Sequence, residues 1–201
     1  MSIAPSFCGV ILAAGESSRM GSDKALLSWR GRTFLDGAIE SLRPHTDMVL
    51  VVTGKNRDSL APIIFAAGAF LVENATPEQG QFSSLQVGLR EVLNRGRDAA
   101  IVVLVDRPPA QAGTVGALRE AFVRQSAEGK WAVVPEHDGR HGHPLVAGRE
   151  LIEAFLRAPA TSTARDVEHQ LPDRIAYLVV DDPLVIGNVD TPEEYEKLAG
   201  A

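Results

Sequence analysis

Phe7-Cys8-Gly9-Val10-Ile11-Leu12 runs directly into Ala13-Ala14-Gly15-Glu16-Ser17-Ser18-Arg19-Met20-Gly21-Ser22-Asp23-Lys24. The first six residues are almost wholly apolar, as a strand buried on both faces requires. The chain then turns abruptly to small, polar and basic residues. A buried strand that ends in a glycine-punctuated loop is a place where backbone N–H groups face an anion. Arg19 and Lys24 add the positive charge that a polyphosphate needs. Spacing excludes two familiar phosphate loops. The Walker pattern needs four residues between its glycines and then Gly-Lys-Ser/Thr, whereas five separate Gly15 from Gly21 and Lys24 follows three later. The dinucleotide fingerprint Gly-x-Gly-x-x-Gly is absent. The competing reading is an ordinary connection whose glycines only make turns. Such a connection needs no Arg and Lys together, and Leu12–Lys24 is long for one.

Further apolar runs recur at Met48–Thr53, Ala69–Val72, Ala100–Val105, Trp131–Val134 and Ala176–Val180. Helical spacing fills the intervals. Phe34, Leu35, Ala38, Ile39 and Leu42 share one face behind a Thr33 cap and ahead of Pro44. Phe82, Leu85, Leu89 and Val92 repeat the pattern, as do Val115, Leu118 and Phe122, then Leu151, Ile152, Phe155 and Leu156. Short, mostly β-branched runs alternating with helices predict an α/β protein with a largely parallel sheet. Ligands of such sheets collect outside the carboxyl ends of the strands, where Gly15–Lys24, Asp106 and Asp190 would sit. Glu136–His143 reads as a loop or hairpin, and Pro159–Thr163 as a second loop. Thr191, Pro192 and Glu194 form the start signal of a final helix, a capping box with proline at its first position.

The 201 residues, 45% hydrophobic, suit one domain spanning 1–201. No apolar run reaches bilayer-crossing length, and Met1–Phe7 lacks a signal-peptide pattern, so neither membrane insertion nor secretion is expected. Cys8 is the only cysteine, which excludes an internal disulfide, fits a cytoplasmic location and reads as a small core hydrophobe. A net charge of −6 argues against a broad nucleic-acid surface. An acidic chain that binds a triphosphate needs a local basic loop and a divalent cation to offset repulsion. Asp106, at the end of Ile101–Val105, is placed to grip Mg2+, or else to cap the turn set by Pro108 and Pro109. Asp190 ends the run Val185–Val189, read as a strand, and can serve as a metal ligand or as a helix-dipole partner. Asn188 falls on the same strand face. Asp181 and Asp182, ahead of Pro183, read as a solvated turn.

Leu-Ala-Ala-Gly-x-Ser-x-Arg-Met-Gly-x-x-Lys resembles the signature of the nucleotidyltransferase superfamily, and within it the branch of molybdenum cofactor cytidylyl- and guanylyltransferases. Gly80-Gln81-Phe82-Ser83-Ser84-Leu85, Asp106-Arg107-Pro108, Gly142-His143-Pro144 and Asp190-Thr191-Pro192-Glu193 occur in the order that branch uses. The resemblance spans nearly the whole chain. It implies a Rossmann-like three-layer α/β/α fold of the nucleotide-diphospho-sugar transferase type. It also implies Mg2+-dependent transfer of CMP from CTP to a phosphate-bearing acceptor, the molybdopterin of the molybdenum cofactor, with pyrophosphate leaving. By this resemblance Leu12, Ala13, Ala14, Gly15, Arg19, Lys24, Asn74, Gly80 and Ser84 bind the nucleotide. Arg19 holds the β- and γ-phosphates, Lys24 approaches the α-phosphate, and Asp106 and Asp190 hold the metal. Lys24, Arg19 and Asp106 are the catalytic set.

The guanylyl enzymes carry Gly where this chain has Ala14 and the cytidylyl enzymes carry Ala, which points to CTP over GTP. Ser83 and Ser84 can also cap the following helix. The resemblance places His143 and Arg107 on the acceptor side: His143 contacts the acceptor or makes a loop-stabilising hydrogen bond, and Arg107, which stands where the family often has Gln, meets a substrate phosphate or pairs with Asp106 or an acidic neighbour. Thr161, Ser162 and Arg165 lie in a stretch that matches the acceptor-side region loosely. His137, His141 and His143 raise a zinc site, but no Cys accompanies them and they lack helical-pair spacing. Trp29 and Trp131 are expected in or at the edge of the core, and His45 and His169 carry no signal. Two alternatives remain: the same transfer to a small phosphate such as a sugar 1-phosphate, and a non-catalytic chaperone that passes nucleotide or cofactor to a client molybdoenzyme.

Overall fold

A computed structural model describes residues 5–15 and 23–199. In chain order its elements are β1 (Phe7–Leu12), β2 (Ser28–Trp29), β3 (Arg32–Thr33), α1 (Phe34–Leu42), β4 (Met48–Thr53), α2 (Arg57–Ala66), β5 (Phe70–Glu73), α3 (Gln81–Asn94), β6 (Ala99–Leu104), α4 (Ala112–Ala127), β7 (Ala132–His137), β8 (Arg140–His141), β9 (Leu145–Gly148), α5 (Arg149–Arg157), α6 (Ala164–His169), β10 (Ile175–Val179) and α7 (Pro192–Ala199). The main sheet has the order β10-β7-β9-β6-β1-β4-β5, with β8 hairpinned onto β7.

β1 is the organising strand. All six of its residues are buried, and it pairs in parallel with β4 on one side and β6 on the other. Its side chains alternate between two cores, because successive residues of a strand point to opposite faces. Phe7 and Ile11 pack with the apolar stripes of α1, α2 and α4. Cys8, Val10 and Leu12 pack with those of α3 and α5, and α6 adds Val167 to the same side. Helices on both faces of a mostly parallel sheet give the expected three-layer α/β/α architecture. Burial drives the Cys8 thiol up to about 12, so it stays protonated and behaves as a core hydrophobe. Trp29 and Trp131 lie half-buried against the two cores.

Helix starts follow local chemistry. The Thr33 hydroxyl accepts from Asp36 N at 3.0 Å and caps α1, and Thr163 with Asp166 forms a capping box on α6. Non-local pairing supplies the rest. β9 lies antiparallel between β6 and β7, so the sheet is mixed at that point. The β7–β8 hairpin turns through Asp138 and Gly139, both at positive φ. Its Asp-Gly pair suits such a turn.

Candidate functional site

The ladder continues past β1: Ala13 N donates to Val52 O at 2.8 Å and Val105 N donates to Leu12 O at 3.1 Å. Ala13 and Ala14 are thereby buried, and Gly15 stands exposed at the mouth of the loop. One side chain ties the two ends of this loop together. Asn56 Nδ2 donates to Ala13 O at 2.8 Å and to Asp23 Oδ2 at 2.6 Å, while its Oδ1 accepts from Gly54 N at 3.1 Å. Asp23 in turn accepts from Ala25 N at 3.0 Å and starts the short turn that carries Lys24. Asn56 carries no motif, and sequence reasoning passed over it. Arg19 lies outside the described residues.

Lys24 is almost buried, and its Nζ lies 2.7 Å from Asp190 Oδ1 and 3.9 Å from Asp106 Oδ2. A backbone bond brings the two carboxylates to it: Val189 N donates to Asp106 O at 3.1 Å. Asp190 is not at a strand end, as the sequence suggested. A 3-10 turn over Pro183–Ile186 precedes it, because Asp182 accepts from Leu184 N and Pro183 withholds a ladder donor. Asn188 therefore shares no strand face with Asp190; its amide instead donates directly to Asp190 Oδ2. Glu194 Oε2 accepts from Asp190 N and Thr191 N, and Thr191 Oγ1 accepts from Glu194 N, completing the capping box of α7.

The electrostatics of this cluster centre on Asp106. Burial raises its carboxyl above the usual carboxylate range, Lys24 and Arg107 oppose that rise, and Asp190 adds to it. Asp106 Oδ1 is buried with no hydrogen-bond partner among the described residues. Such an oxygen, on a carboxylate that shares Lys24 with Asp190, suits a hard, oxygen-preferring cation such as Mg2+. Arg107 Nη1 donates weakly to Gly187 O at 3.5 Å, its Nε lacks a partner among the described residues, and burial lowers its guanidinium's affinity for a proton.

Beside the cluster opens a cavity of about 940 Å³. Leu12 at the end of β1, Gly80 before α3, Arg107 and His143 line it, with Thr161 and Ser162 from the loop before α6 and Arg165 from α6 itself. Gly80 has φ +97° and ψ 177°, a region open essentially to glycine alone, and an added Cβ there would meet nothing. Asn74 and Ser84 do not line the cavity. Asn74 Nδ2 donates to Ser83 Oγ and Ser84 Oγ at 2.9 and 3.0 Å, so these buried groups satisfy one another. Their effect is to hold the Gly80 turn. Gly80 itself is the residue before α3, so neither serine caps that helix.

The three histidines diverge. His137 Nδ1 meets Val180 O at 2.9 Å, His141 stacks on Tyr177, and burial with the nearby Arg107 presses His143 down to about 3, leaving it neutral. Among the described residues no group of three or more His, Cys, Asp or Glu is arranged to hold a metal by itself. Asp182 corrects another expectation. It is buried, not solvated, and its carboxylate also accepts from Gln111 N at 2.9 Å and Thr114 Oγ1 at 2.8 Å, pinning the start of α4. No described helix is long and apolar enough to cross a membrane.

Three curated relatives share this framework at full length. A molybdenum cofactor guanylyltransferase of Xanthomonas euvesicatoria pv. vesicatoria is 28% identical, covering 98% of this chain and 97% of its own. The nicotine blue oxidoreductase of Paenarthrobacter nicotinovorans is 30% identical, covering 96% and 97%. The molybdenum cofactor cytidylyltransferase of Escherichia coli K12 is 24% identical, covering 92% of each. Among solved structures, Rv0371c of Mycobacterium tuberculosis H37Rv superposes with a TM-score of 0.81 at 23% identity, over 98% of this chain and 99% of that one. The same mycobacterial protein has been solved in complex with manganese. The family model that matches this chain covers residues 9–175, and the chain belongs to the family of MobA-like NTP transferase domains.

Proposed function

We propose that this chain transfers CMP from CTP to a phosphate-bearing pterin, the molybdopterin of the molybdenum cofactor, in a Mg2+-dependent reaction. The observation that carries the reading is Lys24 held between Asp106 and Asp190, next to Arg107, which lines the cavity. A phosphate oxygen of the acceptor forms a bond to the α-phosphorus of CTP as the bond to the β-phosphate oxygen breaks and pyrophosphate leaves. Positioning and charge neutralisation do most of the work in such transfers. Leu12, Ala13, Ala14, Gly15 and Gly80 bring backbone close to the nucleotide. Lys24 donates to the α-phosphate oxygens, where charge gathers in the transition state. Asp106 and Asp190 would hold Mg2+, which neutralises phosphate charge when bound. Arg107 meets the acceptor phosphate, and neutral His143 offers it a hydrogen bond rather than a charge.

Ala14 supports CTP by resemblance, since the cytidylyl enzymes carry Ala and the guanylyl enzymes Gly at this position, and a methyl there leaves less room for a purine. GTP is the second reading, favoured by the guanylyltransferase names among the relatives. Pyrophosphate release from CTP and GTP, measured side by side with molybdopterin, decides between them; a clear GTP preference sinks the CTP assignment. Equally little release from wild type and Asp106→Ala, with CTP still bound, would favour a chaperone that delivers its ligand to a client molybdoenzyme.

A further inference from the structure

The cavity wall carries one carboxylate among its described residues, Glu168 on α6, facing a lining that is otherwise cationic or neutral: Arg107, Arg140, Arg165 and three histidines. A site for a phosphorylated substrate gains nothing from an acid that repels the phosphate. Glu168 is half-buried, and among the described residues its carboxylate accepts no hydrogen bond and forms no ion pair within 4.0 Å. Burial raises it to about 7, against a weaker pull from Arg165. A partly buried carboxylate that lines a cavity without a protein partner is open to donors from a ligand.

The cationic lining lies in two places, at Arg107 and Arg140 and at Arg165 on the same helix as Glu168. Arg107 feels Asp106, Asp190 and Arg140, which places the cationic wall beside the carboxylate cluster. Glu168 belongs to α6, and the His141 and Tyr177 rings, stacked with centroids 3.9 Å apart, add a flat surface to the lining. The ligand that fits has an anionic group for the Arg107 wall, a flat ring, and two adjacent N–H donors for a carboxylate fork.

We propose that Glu168 determines acceptor specificity by accepting two hydrogen bonds from the ring N–H and 2-amino group of a 2-aminopyrimidin-4-one edge. The inference rests on the reading of the acceptor as a pterin phosphate. Guanine bears the same edge; Glu168 shares its part of the lining with Thr161, Ser162 and Arg165, the residues read as acceptor contacts, and on that reading it takes the acceptor ring. Two measurements test this. In steady-state transfer, Glu168→Gln raises the KM for molybdopterin about 10- to 100-fold, as loss of charged hydrogen bonds predicts, and leaves the KM for CTP and GTP within two-fold. In direct binding without catalysis, wild type binds pterin in preference to lumazine, the same ring with a carbonyl in place of the 2-amino group. Glu168→Gln loses or inverts that preference.

An unchanged acceptor KM, a rise in the GTP KM alone, or equal binding of pterin and lumazine by wild type overturns the proposal. So does absence of binding by either ring at millimolar concentration. If wild type transfers no nucleotide to molybdopterin, the functional reading fails, while the pterin–lumazine comparison still judges Glu168. A merely structural role for Glu168 would lower binding of both rings together.

Discussion

Replacing Lys24 with Met removes a cation that contacts both Asp106 and Asp190 and keeps most of the side-chain volume. At an effective dielectric of about 40, the 2.7 Å contact with Asp190 is worth about 3 kcal/mol and the 3.9 Å contact with Asp106 about 2 kcal/mol. Both carboxylates are 30% exposed, and the ammonium's own desolvation offsets much of the attraction. The net loss expected is therefore about 1–2 kcal/mol, or roughly 2–8 °C in Tm for a chain of this size. Without Lys24 the Asp106 carboxyl rises further, since one of the groups opposing its burial is gone. A divalent cation should then stabilise the variant more than the wild type, because it replaces the missing charge. Thermal unfolding of both proteins across a Mg2+ titration is the assay. The expected pattern is a lower Tm for Lys24→Met without Mg2+, and a gap that closes as Mg2+ is added. Activity should fall about 100- to 1,000-fold even at saturating Mg2+, the usual cost of losing a transition-state donor. Equal Tm values and equal Mg2+ responses would refute the reasoning that Lys24 neutralises this carboxylate pair.

Asp182→Ala strands three donors at the start of α4 and in the Pro183 turn, and should cost about 3 kcal/mol in chemical denaturation; Thr114→Val, which removes one of them, should cost about 1 kcal/mol. Gly142→Ala drives a methyl into the Val185 backbone carbonyl, so the loop must shift; loss of soluble expression or a fall in stability of about 3 kcal/mol or more is expected, and a neutral result would contradict the observed packing. Glu168→Gln should alter the pH profile of stability. A raised carboxyl favours the folded state below its unfolded value of 4.5, and that advantage is lost as pH rises through about 7. The variant should therefore unfold at a higher Tm than wild type at pH 8, with the two curves meeting below pH 4.5. Parallel curves would count against burial of this group.

Local rules in the sequence accounted for the elements and for much of the site. The apolar run Phe7–Leu12, the caps at Thr33 and Thr191, and the Asp-Gly hairpin are signals that act within a few residues, so they could be read without coordinates. The placement of Asp106 just past a strand end followed from the α/β alternation, and the grouping of Lys24, Asp106 and Asp190 from family resemblance, although Asp190 follows a 3-10 turn and not a strand. The contact that brings them together was not legible: the Val189–Asp106 backbone bond joins residues 83 positions apart. Asp182 illustrates the opposite failure. Asp-Asp-Pro has the composition of a solvated turn, and only the docking of that turn against α4 buries it.

What the sequence determined by itself was the layered α/β class, the central strand and the cationic loop that leaves it, because side-chain periodicity and capping are set by neighbouring residues. The tertiary structure alone decided the antiparallel insertion of β9, the Asn56 clip between Ala13 and Asp23, and the exposure of Glu168 to a cavity beside Arg107. Each of these depends on which distant segments come into contact. Hydrogen-bond satisfaction and desolvation are properties of that contact rather than of any residue alone.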